Sequence, residues 1–107
     1  MRIESEKKEQ KLTLWLFGRL DTSTAPQLQQ VMDTELEDIK DLQIDMEKLE
    51  YVSSAGLRVL LSASKKMKAA GGNMSIYHVN KEIMDVFEIT GFKDIMDIRR
   101  KTGNEET

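Results

Sequence analysis

Two adjacent hydroxyls, Ser53 and Ser54, stand in the run Tyr51-Val52-Ser53-Ser54-Ala55-Gly56-Leu57-Arg58-Val59-Leu60-Leu61. A short apolar approach precedes them and an apolar helical run follows. That order places at least one serine at the mouth of a helix, where unpaired N–H groups and the positive end of the dipole gather. A phosphate attached or docked there meets ready-made donors. The plain alternative is an N-cap, a role serine fills often. A third chemistry, nucleophilic attack, would need the strand-to-helix elbow of hydrolases, with glycine two residues before the serine. Val52 and Tyr51 hold those positions relative to Ser54 and Ser53. Such an elbow also needs a base, and His78 is the only histidine. A lone histidine is ordinarily a structural or surface residue.

Other site chemistries find less support. Gly71-Gly72 follows a helical run instead of opening one, and no GxxxxGK[ST] is present. There is no His/Cys cluster at metal-ligand spacing and no calcium-loop pattern. The reading is therefore a non-enzyme without metal or cofactor. Asp21, in Gly18-Arg19-Leu20-Asp21, reads by default as a solvated loop acid or a helper at the start of the following helix. Asp45 reads as the end of a strand, placed to hydrogen-bond the loop that leads to Ser53. Arg58 and Lys65-Lys66 form the solvated face of the helix after the serines. Leu57, Val59, Leu60 and Leu61 make that helix apolar on more than one side, so another element or a partner must cover it. Met32, Met46, Met67 and Met84 fit ordinary core packing.

The elements that position these residues alternate between strand and helix. Arg2 to Glu9 is a polar edge strand, and Lys11 to Phe17 is a stronger one with Leu12, Leu14 and Leu16 alternating. Gly18 to Asp21 turns into a helix from about Thr24, with Thr24 and Gln27 as a capping box and Pro26 in the first turn. Leu28, Val31, Met32, Leu36 and Ile39 carry its apolar face. Leu42, Ile44 and Met46 form a short strand, and Glu47 to Ser53 a loop. The second helix runs from about Ala55 to Ala70 and ends at Gly71-Gly72. A strand through Met74, Ile76, Tyr77 and Val79 follows, then a helix from Lys81 to Thr90 capped by Asn80. Phe92 is placed to pack back on Phe87 after Gly91. Ile95 to Ile98 is a last short strand, and residues 99–107 a polar, flexible tail.

Composition sets the outer bounds. The chain has 107 residues, enough for one domain with a real core. Sixteen basic residues against nineteen acidic ones give a net charge of −3, which offers no basic footprint for nucleic acid or an anionic membrane. The absence of cysteine removes disulfides and thiolate chemistry. No apolar run approaches membrane-spanning length and the N-terminus lacks a signal-peptide core, so a soluble, cytoplasmic protein is expected. Alternation with short connections implies an α/β fold with an open, largely parallel sheet.

Three segments together resemble a known family. They are Leu49 to Leu61, then Gly18-Arg19-Leu20-Asp21 with Thr24-Ala25-Pro26, and finally Gly71-Gly72 before a strand with Thr90-Gly91-Phe92 after a helix. The chain is similar to STAS domains of the bacterial anti-sigma factor antagonist type, over residues 1–98. The resemblance implies a single STAS domain with a mixed, largely parallel sheet of four to five strands packed with helices. It implies that Ser54 is the phospho-acceptor, with Ser53 standing where an acid is more usual and serving as the alternative site. It sets Asp21 beside the switch serine and Asp45 behind it. The implied partners are an anti-sigma factor with serine-kinase activity, of the histidine-kinase-like ATPase fold, and a PP2C-type phosphatase. Asp21, Ser53, Ser54, Gly56, Leu57, Arg58 and Leu61 are the expected partner surface, on a domain that is monomeric when free. The alternative is a STAS scaffold or adaptor, not phosphorylated, that relays a signal or binds a small anion or nucleotide.

Overall fold

The computed structural model describes residues 1–101. Five strands form one sheet in the order β1-β2-β3-β4-β5. They are β1 (Arg2–Lys8), β2 (Lys11–Leu20), β3 (Asp41–Val52), β4 (Asn73–Val79) and β5 (Asp97–Arg100). β1 runs antiparallel to β2, and every later pair is parallel. The helices are α1 (Ala25–Glu35), α2 (Ser54–Ala69), α3 (Lys81–Ile89) and the single turn α4 (Phe92–Ile95). The expected α/β fold with a largely parallel sheet is the one observed.

Strand order fixes the layering. Each crossover steps to the next strand in the same direction, and right-handed crossovers laid in one direction leave all their helices on one face. Alternation along the strands agrees. Leu12, Leu14, Leu16, Leu42, Ile44, Met46, Ile76 and Ile98 join Leu28, Met32, Leu60, Met67, Ile83 and Phe87 in one buried cluster. Burying a side chain of this size contributes about 1.5–3 kcal/mol. The opposite face, with Thr13, Trp15, Gln43 and Tyr77, is only half-buried.

Several boundaries differ from expectation. β2 does not turn at Gly18. This glycine has φ 102° and sits at an irregularity in the pairing, after which the strand resumes through Leu20. Likewise the expected loop from Glu47 is strand, because β3 continues to Val52 and pairs Tyr51 with Arg19 and Val52 with Leu20. Met46 and Leu49 are both buried with Glu47 and Lys48 exposed between them, so the period of two is broken and the strand is disguised. α1 stops at Glu35, and Leu36 and Ile39 are buried beyond its end. The Thr24–Gln27 capping box does not form: Thr24 Oγ1 donates to Arg19 O, and Gln27 Nε2 donates to Met1 O. Ile95 lies in α4, and β5 extends to Arg100, so Arg99 and Arg100 belong to the sheet and not to a tail. Lys101 N donates to Val79 O at 2.7 Å, and the rest of the expected tail, 102–107, lies outside the described residues.

Other expectations stand. α2 ends in a Schellman arrangement, with Gly72 N donating to Met67 O, Gly71 N donating to Lys68 O, and Gly71 at φ 75°. Asn80 caps α3 by accepting from Ile83 N at 2.8 Å. Phe87 and Phe92 stack with ring centroids 6.3 Å apart across Gly91. Met32, Met46, Met67 and Met84 are core residues.

Candidate functional site

The hydroxyl pair sits where β3 becomes α2. Ser53 N donates to Leu20 O at 2.8 Å, which ties the end of β3 to the end of β2. Ser53 is then the N-cap, with extended backbone and its Oγ accepting from Gly56 N at 3.3 Å. Ser54 is the first residue of the helix and is exposed. Its hydroxyl makes no hydrogen bond among the described residues. The two serines therefore divide the roles: Ser53 caps and Ser54 is open. The N-cap expected of one of the two serines is Ser53 and not Ser54.

Asp21 follows Leu20, so the pairing of Leu20 with Val52 carries it to the level of Ser53. Its Oδ1 accepts from Ser23 N at 3.0 Å, Ser23 Oγ at 2.9 Å and Thr24 N at 3.1 Å. These bonds close the turn into α1, the helix-start role that is one of the two readings of Asp21. Hydrogen bonds, foremost from the Ser23 hydroxyl, hold the Asp21 carboxyl below its ordinary value. Arg19 Nε lies 3.7 Å from Asp21 Oδ2, and the Arg19 guanidinium lies 4.3 Å from the Tyr51 ring centroid. Tyr51 is 41% exposed. Arg19 and Tyr51 thus belong to the rim of the site, although neither stood among the expected contacts; the aromatic two residues before Ser53 was the available signal.

Two expected contacts are withdrawn from the surface. Gly56 is buried, and a Cβ there would lie 2.5 Å from Leu20 Cγ. Leu57 is 8% exposed and belongs to the core cluster. Both position the site from beneath. Arg58 is exposed and Leu61 half-buried, so these remain available to a partner. The apolar breadth of α2 is met inside the domain, since α1 packs on α2.

Asp45 lies within β3, well before Ser53, and bonds the backbone only at Glu47, the first residue of the stretch expected as a loop, which is strand here. Its Oδ1 accepts from Glu47 N at 2.9 Å, and its Oδ2 faces His78 Nδ1 at 2.9 Å. Asp45, Glu47 and His78 thereby assemble three metal-ligand side chains, a grouping that linear spacing could not reveal because His78 is 33 positions from Asp45. Among the described residues, no helix is long and apolar enough to cross a membrane.

The STAS domain family matches residues 2–105. The chain belongs to the STAS domain family. The anti-sigma-B factor antagonist of Bacillus subtilis (strain 168) is 28% identical over 102 residues, which cover 95% of this chain and 94% of that protein. The crystal structure of a putative anti-sigma factor antagonist from Thermotoga maritima superposes with a TM-score of 0.85 at 17% identity, covering 97% of this chain and 91% of the other. The phosphorylated form of SpoIIAA, a Bacillus cell fate determinant, superposes with a TM-score of 0.69 at 19% identity, covering 98% of this STAS domain and 95% of that chain. At such identities these structures establish the fold, and the five-stranded, mostly parallel sheet is that of the family.

Proposed function

We propose that this STAS domain is an anti-sigma factor antagonist regulated by phosphorylation of Ser54. Unmodified, it binds a serine-kinase anti-sigma factor of the histidine-kinase-like ATPase fold and so frees a sigma factor. Phosphate on Ser54 breaks that complex, and a PP2C-type phosphatase restores it. The observation that carries the reading is the division of labour between the serines. Ser54 presents an exposed, unengaged hydroxyl at the first turn of α2, while the Ser53 hydroxyl is committed to Gly56 N. The name of the Bacillus subtilis relative and the phosphorylated state of SpoIIAA support it.

A phosphoryl group adds about −1.5 to −2 charges and three strong acceptors. At the start of α2 it meets the positive end of the dipole, and Arg58 stands one turn further along the same helix. The fold therefore tolerates the modification. A partner seated over Asp21, Ser53, Ser54, Arg58 and Leu61 instead meets a new anion beside a carboxylate. A loss of about 3 kcal/mol weakens a complex by roughly a hundredfold, so release needs no remodelling of the domain.

The test combines the protein with the purified cognate kinase and ATP, followed by intact mass, peptide mapping and a pull-down. One phosphate on Ser54, none on Ser54→Ala, and loss of binding after modification are the expected results. Phosphate on Ser53, or a complex that survives modification of Ser54, refutes the switch as stated. No uptake of phosphate with binding retained would favour the scaffold role.

A further inference from the structure

We propose that Asp45, Glu47 and His78 form a binding site for a single divalent transition-metal ion on the open face of the sheet. The site is separate from the serines, and nothing in the proposed switch uses it. Its ligand atoms come from two neighbouring strands and lie within 4.8 Å of one another.

Two local departures from strand regularity bring these groups together. On β4, Ile76 and Val79 are both buried, so strict alternation fails between them. His78 adopts φ 61°, and the pairing of β4 with β5 shifts register over the same stretch. A left-handed residue inside a strand re-aims its side chain, and here His78 comes to lie against Asp45. On β3, the pairing with β2 gains a residue between Asp45 and Lys48, at the position of Glu47. Both irregularities fall at the same level of the sheet and converge on Asp45. A non-glycine residue at positive φ is uncommon inside a strand, and at His78 it is the conformation that turns the imidazole to Asp45.

The geometry suits an ion. Metal–ligand bonds of about 2.1 Å in a tetrahedron set ligand atoms about 3.4 Å apart. His78 Nδ1 stands 2.9 Å from Asp45 Oδ2 and 3.8 Å from Glu47 Oε1, which brackets that spacing. The outer contacts already orient the carboxylates. Asp45 Oδ1 accepts from Glu47 N, and Glu47 Oε2 lies 3.7 Å from Lys101 Nζ, which leaves Oδ2 and Oε1 turned toward the imidazole. One imidazole with two carboxylates selects borderline divalent ions such as Zn²⁺, Co²⁺ or Ni²⁺ over Mg²⁺ and Ca²⁺.

The chain supplies its own reporter. Trp15 is its only tryptophan, is the register partner of Asp45, and lines the same depression as Asp45, Tyr77 and His78. Protein without a polyhistidine tag, stripped with a chelator, is titrated with Ni²⁺ while Trp15 emission is followed, and with Zn²⁺ by calorimetry. The expected result is saturable quenching by Ni²⁺, reversed by Zn²⁺, at one ion per chain. His78→Asn keeps a residue tolerant of positive φ and removes the imidazole. It should raise both apparent Kd values by at least about tenfold, because even the loss of an outer-shell partner costs roughly 10–100-fold. The double variant Asp45→Asn/Glu47→Gln should do the same, with unchanged far-ultraviolet circular dichroism. Absence of saturation at millimolar metal, or equal quenching of His78→Asn and the parent, overturns the proposal.

Discussion

Gly56→Ala should destabilise the domain, although alanine is the better helix former. A Cβ at Gly56 would stand 2.5 Å from Leu20 Cγ, 2.9 Å from Leu20 Cδ2 and 3.1 Å from Leu20 O. None of these atoms yields cheaply. Leu20 is fully buried, and its carbonyl accepts the Ser53 N–H that joins β2 to β3. Overpacking of this kind costs about 1–3 kcal/mol. The gain in helix propensity is at most about 1 kcal/mol, and smaller in a first turn. The clash therefore wins, by about 1–2 kcal/mol. Each kcal/mol lowers Tm by about 4–8 °C in a domain of this size. In urea the midpoint should fall with the slope unchanged. A Gly56→Ala protein as stable as the parent would refute the reasoning. A double-mutant cycle sharpens it, because Leu20→Ala removes the atoms that collide. Measured in a stabilising osmolyte, Gly56→Ala should be neutral or favourable in that background, with a coupling of about 0.5–3 kcal/mol. Simple additivity would show that the contact is not the cause.

The two serines should separate in stability as they do in geometry. Ser53→Ala loses the cap on Gly56 N and should cost about 0.5–2 kcal/mol, whereas Ser54→Ala should stay within about 0.5 kcal/mol of the parent in the same urea titration. Equal losses would mean that Ser53 is no cap. Asp21 predicts an acid dependence. Its folded-state pKa is lowered from 3.8, so its stabilising effect is complete above that value and is lost as pH falls through the depressed one. The difference in urea midpoint between the parent and Asp21→Asn should thus shrink below about pH 4; a difference independent of pH would place the effect elsewhere.

The sequence revealed most where one rule acted alone. Leu12, Leu14 and Leu16 alternate, Gly71-Gly72 closes a helix and Asn80 opens one, and each appears in the structure as read. Legibility failed where two rules competed. Gly18 is a turn residue by composition, yet pairing with β3 keeps it within the sheet. Glu47-Lys48 breaks the alternation because β3 gains a residue there, so its second half looked like a loop. In the site, a serine at a helix start was legible, but which of the two caps depended on where the last strand residue fell. That residue, Val52, is fixed by its pairing with Leu20, a contact between distant segments that no local pattern encodes. The inward facing of Gly56 and Leu57 is hidden for a related reason: the motif marks them as special without showing which way they point. The convergence of Asp45 and His78 depends likewise on the register between β3 and β4.

The switch and the proposed metal site share β3, so their coupling can be judged. From Glu47 to Ser53 the chain is extended, and at about 3.3 Å per residue the two sites stand roughly 20 Å apart. The Debye length is about 8 Å at physiological ionic strength, so the charge of a phosphoserine is heavily screened at that distance. A mechanical route is no better. Between the two sites β3 is hydrogen-bonded to β2, its pairing with β4 ending at Asp45, and Leu49 and Val52 anchor it in the packed core. Coupling between two ligands is reciprocal, so either binding event can report it. The Ni²⁺ affinity, read from Trp15 quenching, should agree within about twofold between the unmodified protein and the form phosphorylated on Ser54. A shift of more than about fivefold, near 1 kcal/mol, would mean that β3 transmits strain between its two ends and that the sheet is not the rigid spacer its pairing implies.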